Sequence, residues 1–202
     1  MTELKRMLSG KLYMANDEQL KSIRKEMLEK LHVYNHLDYL EDQKRDALIK
    51  EILGGHQGTL KITPPVYFDY GKNTYVGKDF YANADCIFLD VNTITIKDRV
   101  MLGPRVSLLT ATHPIDATVR ATQLEYGLPI VIEDDCWIGG MVVVNPGVTI
   151  GARSIIGSGS VVTKDIPSDV IAVGNPCRVL RKITEADKIY WEAQKLDYEN
   201  NL

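Results

Sequence analysis

Six hexads, IEDDCW, IGGMVV, VNPGVT, IGARSI, IGSGSV and VTKDIP, run without a gap from Ile132 to Pro167. Each begins with Ile or Val, the second position is often Gly or Asn, and the fifth is Cys, Val, Val, Ser, Ser, Ile. A helix of period 3.6 smears such positions, and simple strand alternation does not single out every sixth residue. The period belongs to a coil of short strands, with three hexads forming one triangular turn of a left-handed parallel β-helix. Ile or Val at the first position stacks on its equivalents above and below, while the fifth position admits smaller side chains at the corner. One coil cannot bury that column alone, so several must stack.

The repeat runs upstream less cleanly, as VGKDFY from Val76, ANADCI from Ala82, FLDVNT from Phe88, IKDRVM from Ile96, LGPRVS from Leu102 and LLTATH from Leu108. The eight-residue step from Phe88 to Ile96 inserts two residues at a corner. Beyond His113 the segment PIDATVRATQLEYGLP has no hexad character, and residues 111–129 read as a loop thrown out from the coil. Loops of that length in a compact repeat are usually functional or disordered.

The flanks read as helices. In residues 1–55, Asn16 with Gln19 resembles a capping box, and Leu20, Ile23, Met27, Leu28 and Leu31 form one apolar face. A second helix is expected from Asp42 to Leu53, stopped by Gly54 and Gly55. The β-helix should occupy 56–183 and a last helix 184–202, opened by a Thr184–Asp187 capping box, with Ile189, Tyr190 and Trp191 expected to pack. A chain of 202 residues thus makes one mainly β domain with a helical appendage.

A formal charge of −3 argues against nucleic acid or an anionic membrane as main partner and favours a small soluble substrate. The start, MTELKRMLSGKLYMANDEQL, lacks an apolar signal core, and no window approaches the roughly 18 apolar residues of a membrane span, so a cytoplasmic protein is expected. Cys86, Cys136 and Cys177 are odd in number and widely spaced, which points to small buried residues rather than disulfides or a zinc knuckle.

His113, in TATHPID, is the one histidine in the last two thirds of the chain. A lone histidine is more often structural than catalytic. This one stands where a regular coil meets a long loop, and Pro114 restricts its backbone to extended conformations. An imidazole, with an ordinary pKa near 6.5, suits proton removal from a weakly nucleophilic hydroxyl.

The segments SGKLYMANDEQL, YNHL, PPVYFDYG, FYANADCIFLD, TATHPID, CWIGG, NPGVTIG, VVTKDIP and GNPCRV, in this order, resemble the hexapeptide-repeat acyltransferases, and within them the maltose and galactoside O-acetyltransferases. The resemblance implies a homotrimer with active sites between adjacent β-helices, acetyl-CoA as donor, a sugar hydroxyl as acceptor, and no metal. His113 matches the family's catalytic histidine. Asp69 and Asn83 match positions lining the active site, with Tyr81 beside them, and Asp90 is a further acceptor candidate; the competing role for each is a corner hydrogen bond of the coil. The family's N-terminal acceptor-binding Asp is replaced by Ala15, with Asp17 two residues later. Glu125, in LEYG, resembles the maltose branch and would contact the acceptor or support His113.

For the donor, the resemblance assigns Gly140, Ser158, Thr163 and Lys164 to coenzyme A, with Asn83 shared between donor and acceptor. Trp137 would flank the pantetheine arm or pack in the core, and Arg178 and Arg181 sit where phosphate contacts are expected. Three rivals remain at this level: a β-helix carbonic anhydrase, a noncatalytic trimeric scaffold, and an acetyltransferase acting on an amine or a non-sugar hydroxyl. The first needs several histidines at an interface to bind zinc, whereas His32, His36 and His56 lie with the helical appendage and only His113 in the repeat.

Overall fold

The hexads fold as their period requires. In the computed structural model, first-position Ile132, Ile138, Val144, Ile150, Ile156 and Val162 are all fully buried, as are fifth-position Cys136, Val142, Ser154 and Ser160. In the first five hexads the chain turns the corner at the fourth position, where Asp135, Met141, Gly147, Arg153 and Gly159 take positive φ. Left-handed backbone costs a non-glycine residue about 1–2 kcal/mol, and buried columns offset it, each Ile or Val contributing roughly 1.5–3 kcal/mol. Bidentate pairs between coils, Arg99 with Asp135 and Arg153 with Asp169, brace one edge of the prism.

The structure describes residues 1–38 and 40–201; Tyr39 and Leu202, at which the expected helical flanks were also placed, lie outside the described residues. Three parallel sheets form the walls. The first is founded on Gly55–His56 and Thr74–Val76, the second on Leu60–Ile62 and Phe80–Ala82, and the third on Val66–Phe68 and Cys86–Leu89. Every later coil adds one strand to each wall in unshifted register, so Ile94 lies beside Ile130 and Trp137 beside Ile155. The second sheet ends with Val170–Val173 and an antiparallel strand, Arg178–Lys182.

Helix α1 (Glu3–Leu8) leads into a short strand, Tyr13–Met14, and then into α2 (Glu18–His36) and α3 (Asp42–Ile52). Asp17, not Asn16, caps α2, accepting from the Gln19 and Leu20 amides. The cap needs its side-chain oxygen one residue before the first helical turn, and the chain turns at Asp17. Met27, Leu31 and Tyr34 of α2 close the open end of the β-helix over Ile62, Val66 and Phe68, while Leu28 is exposed. Asn35 pairs both ways with the Val66 backbone, which satisfies an edge strand.

Two further expectations change. The 111–129 segment is not a plain loop: it is a hairpin of Ala111–Thr112 and Leu124–Gly127, bridged by the one-turn α4 (Ala117–Arg120), and Leu124–Gly127 also pairs with Tyr13–Met14. The last helix, α5 (Glu185–Asn200), opens with the Thr184–Asp187 capping box, but Ile189, Tyr190 and Trp191 are more than half exposed. None of the residues of α5 is buried, and Tyr190 and Trp191 meet only edge to face. No helix among the described residues is long and apolar enough to cross a membrane.

Candidate active site

The inward column advances by six residues except at one corner. Between the third and first sheets it steps from Phe68 to Val76, from Phe88 to Ile96 and from Leu108 to Ile132, so every insertion in the coil leaves at the same edge. Extra residues there must find their own hydrogen bonds, and a buried polar network supplies them. Asp90, fully buried, accepts from the amides of Asp69 (3.1 Å) and Tyr70 (2.8 Å) and from the Thr74 hydroxyl (3.0 Å). Burial pushes its carboxyl up to about 6 although those donors pull it down. Asn92 reaches from the corner to the Gly127 carbonyl at 2.8 Å, and a Cβ on Gly127 would lie 2.7 Å from Val91. The hairpin is therefore seated tightly on the corner.

His113 stands at the hairpin base with its side chain about half exposed. Its Nδ1 lies 3.3 Å from the Leu124 carbonyl, and Nε2 lies 3.7 Å from Glu125 Oε2. With Nδ1 donating, Nε2 is the free base. Glu125 is only 17% exposed, and its other oxygen accepts from the buried Tyr13 hydroxyl. Asp69, 13% exposed, pairs with Arg24 of α2 at 2.7 Å. Burial raises the Asp69 carboxyl, the Arg24 guanidinium draws it back, and the Glu125 charge adds to the rise. Glu125 thus stands between the His113 imidazole and the Asp69–Arg24 pair.

A second feature lies across the prism. Tyr81, Asn83, Gly103, Trp137, Gly140 and Ser158 line an open groove of about 740 Å³ along the second sheet and its corner with the third. Trp137 is half exposed on this outer face, not in the core. A Cβ on Gly140 would meet the Pro104 ring at 3.2 Å, so the groove wall leaves little room for a side chain there. Register places Tyr81, Met101, Trp137, Ile155, Ile171 and Arg181 in one outward column. Five interstrand steps make it about 24 Å long.

The residues singled out from sequence therefore divide between two edges. His113, Glu125 and Asp69 share the hairpin corner, and Thr163 and Lys164, following Val161–Val162 in the third sheet, lie on that edge two coils further on. Tyr81, Asn83, Trp137, Gly140 and Ser158 line the groove, and Arg178 and Arg181 end the same sheet. Three of the expected binders are occupied. Asp90 is buried in the corner network, Asp17 caps α2, and Arg181 pairs bidentately with Asp187 at 2.7 and 2.8 Å. Asn83 Oδ1 accepts from the Ala84 amide, leaving its amide nitrogen for a ligand. Tyr13 and Arg24 are new to the site; each enters through a contact remote in sequence, which no local motif announces. Among the described residues, no group of three or more His, Cys, Asp or Glu side chains is placed to hold a metal ion.

A parallel β-helix of stacked hexads with a hairpin inserted at one corner is the architecture of the hexapeptide-repeat transferases, and similarity in sequence and structure places the chain among them. Residues 129–164 match the bacterial transferase hexapeptide (six repeats), and residues 6–58 match the maltose acetyltransferase hexapeptide capping motif. The galactoside O-acetyltransferase of Escherichia coli is 44% identical over 191 residues, covering 95% of this chain and 93% of its own. A maltose O-acetyltransferase from Clostridium difficile superimposes with a TM-score of 0.90 at 48% identity, covering 91% of this chain and 98% of that one. A galactoside acetyltransferase in complex with coenzyme A gives 0.90 at 42% identity, covering 93% and 94%. The chain belongs to the maltose and galactoside O-acetyltransferase family of hexapeptide-repeat acyltransferases.

Proposed function

We propose that the protein is an acetyl-CoA-dependent O-acetyltransferase, working as a homotrimer in the cytoplasm, that acetylates a hydroxyl of a sugar such as maltose, glucose or a galactoside. The observation that carries this reading is the division of the site. The histidine corner and the groove are separated within one chain by the width of the third sheet. A complete site forms when the histidine edge of one copy meets the groove of the next. The outer column of the third sheet, with Tyr67 and Ile87 exposed, gives the copies an apolar face to bury. The coenzyme A named in the related complex fits an open groove with one half-exposed indole and an arginine-bearing end.

In this reading Trp137 flanks the pantetheine arm, Gly140 and Ser158 let it approach the backbone, and Thr163 and Lys164 of the adjoining copy close over it. Arg178 takes phosphate, since its guanidinium has no carboxylate partner among the described ion pairs. Asp69 and Asn83 hold acceptor hydroxyls. Nε2 of His113 removes the hydroxyl proton as the oxygen attacks the thioester carbonyl; the tetrahedral oxyanion collapses, the C–S bond breaks, and the thiolate takes up the proton. Transfer is direct, without an acyl-enzyme.

Thiol release from acetyl-CoA, measured with maltose, glucose, a galactoside and an amine, tests the proposal with His113→Ala alongside. Sugar-dependent release that disappears in the variant is expected. Release with the amine alone would reassign the acceptor, and no release from protein that binds coenzyme A would remove the catalytic reading.

A further inference from the structure

Tyr13 belongs to the N-terminal cap, outside the repeat, yet its hydroxyl ends inside the site. The strand Tyr13–Met14 pairs antiparallel with Leu124–Gly127, and the register sets Tyr13 opposite Glu125. Met7, Leu20, Tyr70 and Val91 enclose the ring, which has no solvent exposure. Burial first, and the neighbouring Glu125 second, hold the phenol far above its ordinary range, so it stays protonated and can only donate to that carboxylate. One oxygen of Glu125 is thereby claimed, and the other is left 3.7 Å from His113 Nε2.

Resting on the reading of His113 as general base, we propose that Tyr13 is a positioning residue for catalysis: its hydroxyl fixes Glu125 so that the free carboxylate oxygen stays opposite Nε2. A carboxylate held there favours the imidazolium that forms when the acceptor proton arrives. Without the phenol, Glu125 gains rotamers, and the Arg24–Asp69 pair next to it offers a competing positive charge. The base would then form its cation without a fixed counter-charge. The N-terminal cap thus does more than close the prism, because it orients the proton-transfer machinery across 112 residues of sequence.

The test is a double-variant cycle on the full chain with Tyr13→Phe, Glu125→Gln, both together, and His113→Ala. Values of kcat and of both KM are referred to sites counted by coenzyme A binding, so lost folding cannot pass for lost catalysis. Removing a hydrogen bond to a charged group should lower kcat about tenfold in Tyr13→Phe, with the acetyl-CoA KM within about twofold of the parent. In the Glu125→Gln background the same change should cost under about twofold, because it acts through the carboxylate already removed. Unchanged kcat in Tyr13→Phe, or losses that multiply in the double variant, would overturn the proposal. Glu125→Asp, which keeps the charge but withdraws it from both partners, serves if Tyr13→Phe does not fold; a matching loss supports the proposal and full activity overturns it. An active His113→Ala removes the general base and this inference together, whereas an inactive one beside an unaffected Tyr13→Phe removes the inference alone.

Discussion

The coil before the hairpin and the coil after it obey the same inward pattern but treat one edge differently. Up to Leu108 the corner between the third and first sheets is enlarged at each turn, and it fills with polar side chains bonded to one another and to backbone. After Ile132 the corner shrinks to the plain hexad turn from Val144 to Ile150 and to four residues from Val162 to Ile166, where in place of a buried network Asp165 accepts from the Thr149 amide on the exposed surface. The difference teaches where chemistry enters a repeat. A regular coil has no spare side chains to converge, because each position already faces the core, a corner or a flat wall. Insertions at a single edge create the spare residues, and stacking turns them into a site.

The sharpest test of the two-edge division uses variants with complementary defects. His113→Ala empties the histidine corner, and Ser158→Trp fills the groove; each alone should lose about a thousandfold or more in kcat or in donor turnover. Subunits carrying one defect each, unfolded and refolded together at equal amounts, should recover roughly a quarter of parental activity if copies share sites in a closed trimer. No recovery would place a whole site within one chain and break the comparison.

Asp90 tests whether the enlarged corner is held by structure rather than by substrate. Burial pushes its carboxyl up to about 6, so its ionisation in the folded state is disfavoured. The stability linked to that group is fully present below about pH 4 and is lost as pH rises through about 6. Asp90→Asn, which cannot ionise, should gain on the parent between pH 4 and 7 by roughly 3 kcal/mol in denaturant unfolding. A parent and variant that keep a constant difference across that range would show the carboxyl is not so disfavoured.

Smaller effects should mark the groove. Trp137→Ala is expected to raise the acetyl-CoA KM about tenfold, with circular dichroism unchanged because the indole sits outside the core. Arg178→Ala should raise it about fivefold and Arg181→Ala only about twofold, since Asp187 already engages the second guanidinium. Equal effects of the two arginines would show that the Asp187 pair opens when the donor binds.

Much of this architecture was legible because a β-helix writes itself in the sequence at short range. The column of Ile132, Ile138 and Val144 needs only neighbours six residues apart, and Gly147 and Gly159 mark corners directly. The position of His113, where the coil gives way to the inserted segment, was likewise legible from the end of the repeat. Two of the partners around it were not: Tyr13 and Arg24 come from separate segments, and what brings them to Glu125 and to Asp69, itself already singled out from sequence, is antiparallel pairing and an ion pair between a helix and a corner. Asp90 and Asp17 illustrate the converse, since an aspartate suited to a sugar hydroxyl is equally suited to a backbone amide. Only the tally of neighbouring donors distinguishes the two uses.

The outward column from Tyr81 to Arg181 makes the second sheet a measuring rod. Each coil adds one graduation of about 4.8 Å, and for a donor lying along it as proposed, the separation between the thioester end and the phosphate end would be counted in whole turns. Length selection for the donor is then digital: excising or duplicating one eighteen-residue coil beyond Trp137 would preserve every hexad contact yet miss the donor by a full graduation. A fold that tolerates added turns energetically would thereby be held to a set number of them by the donor proposed for it.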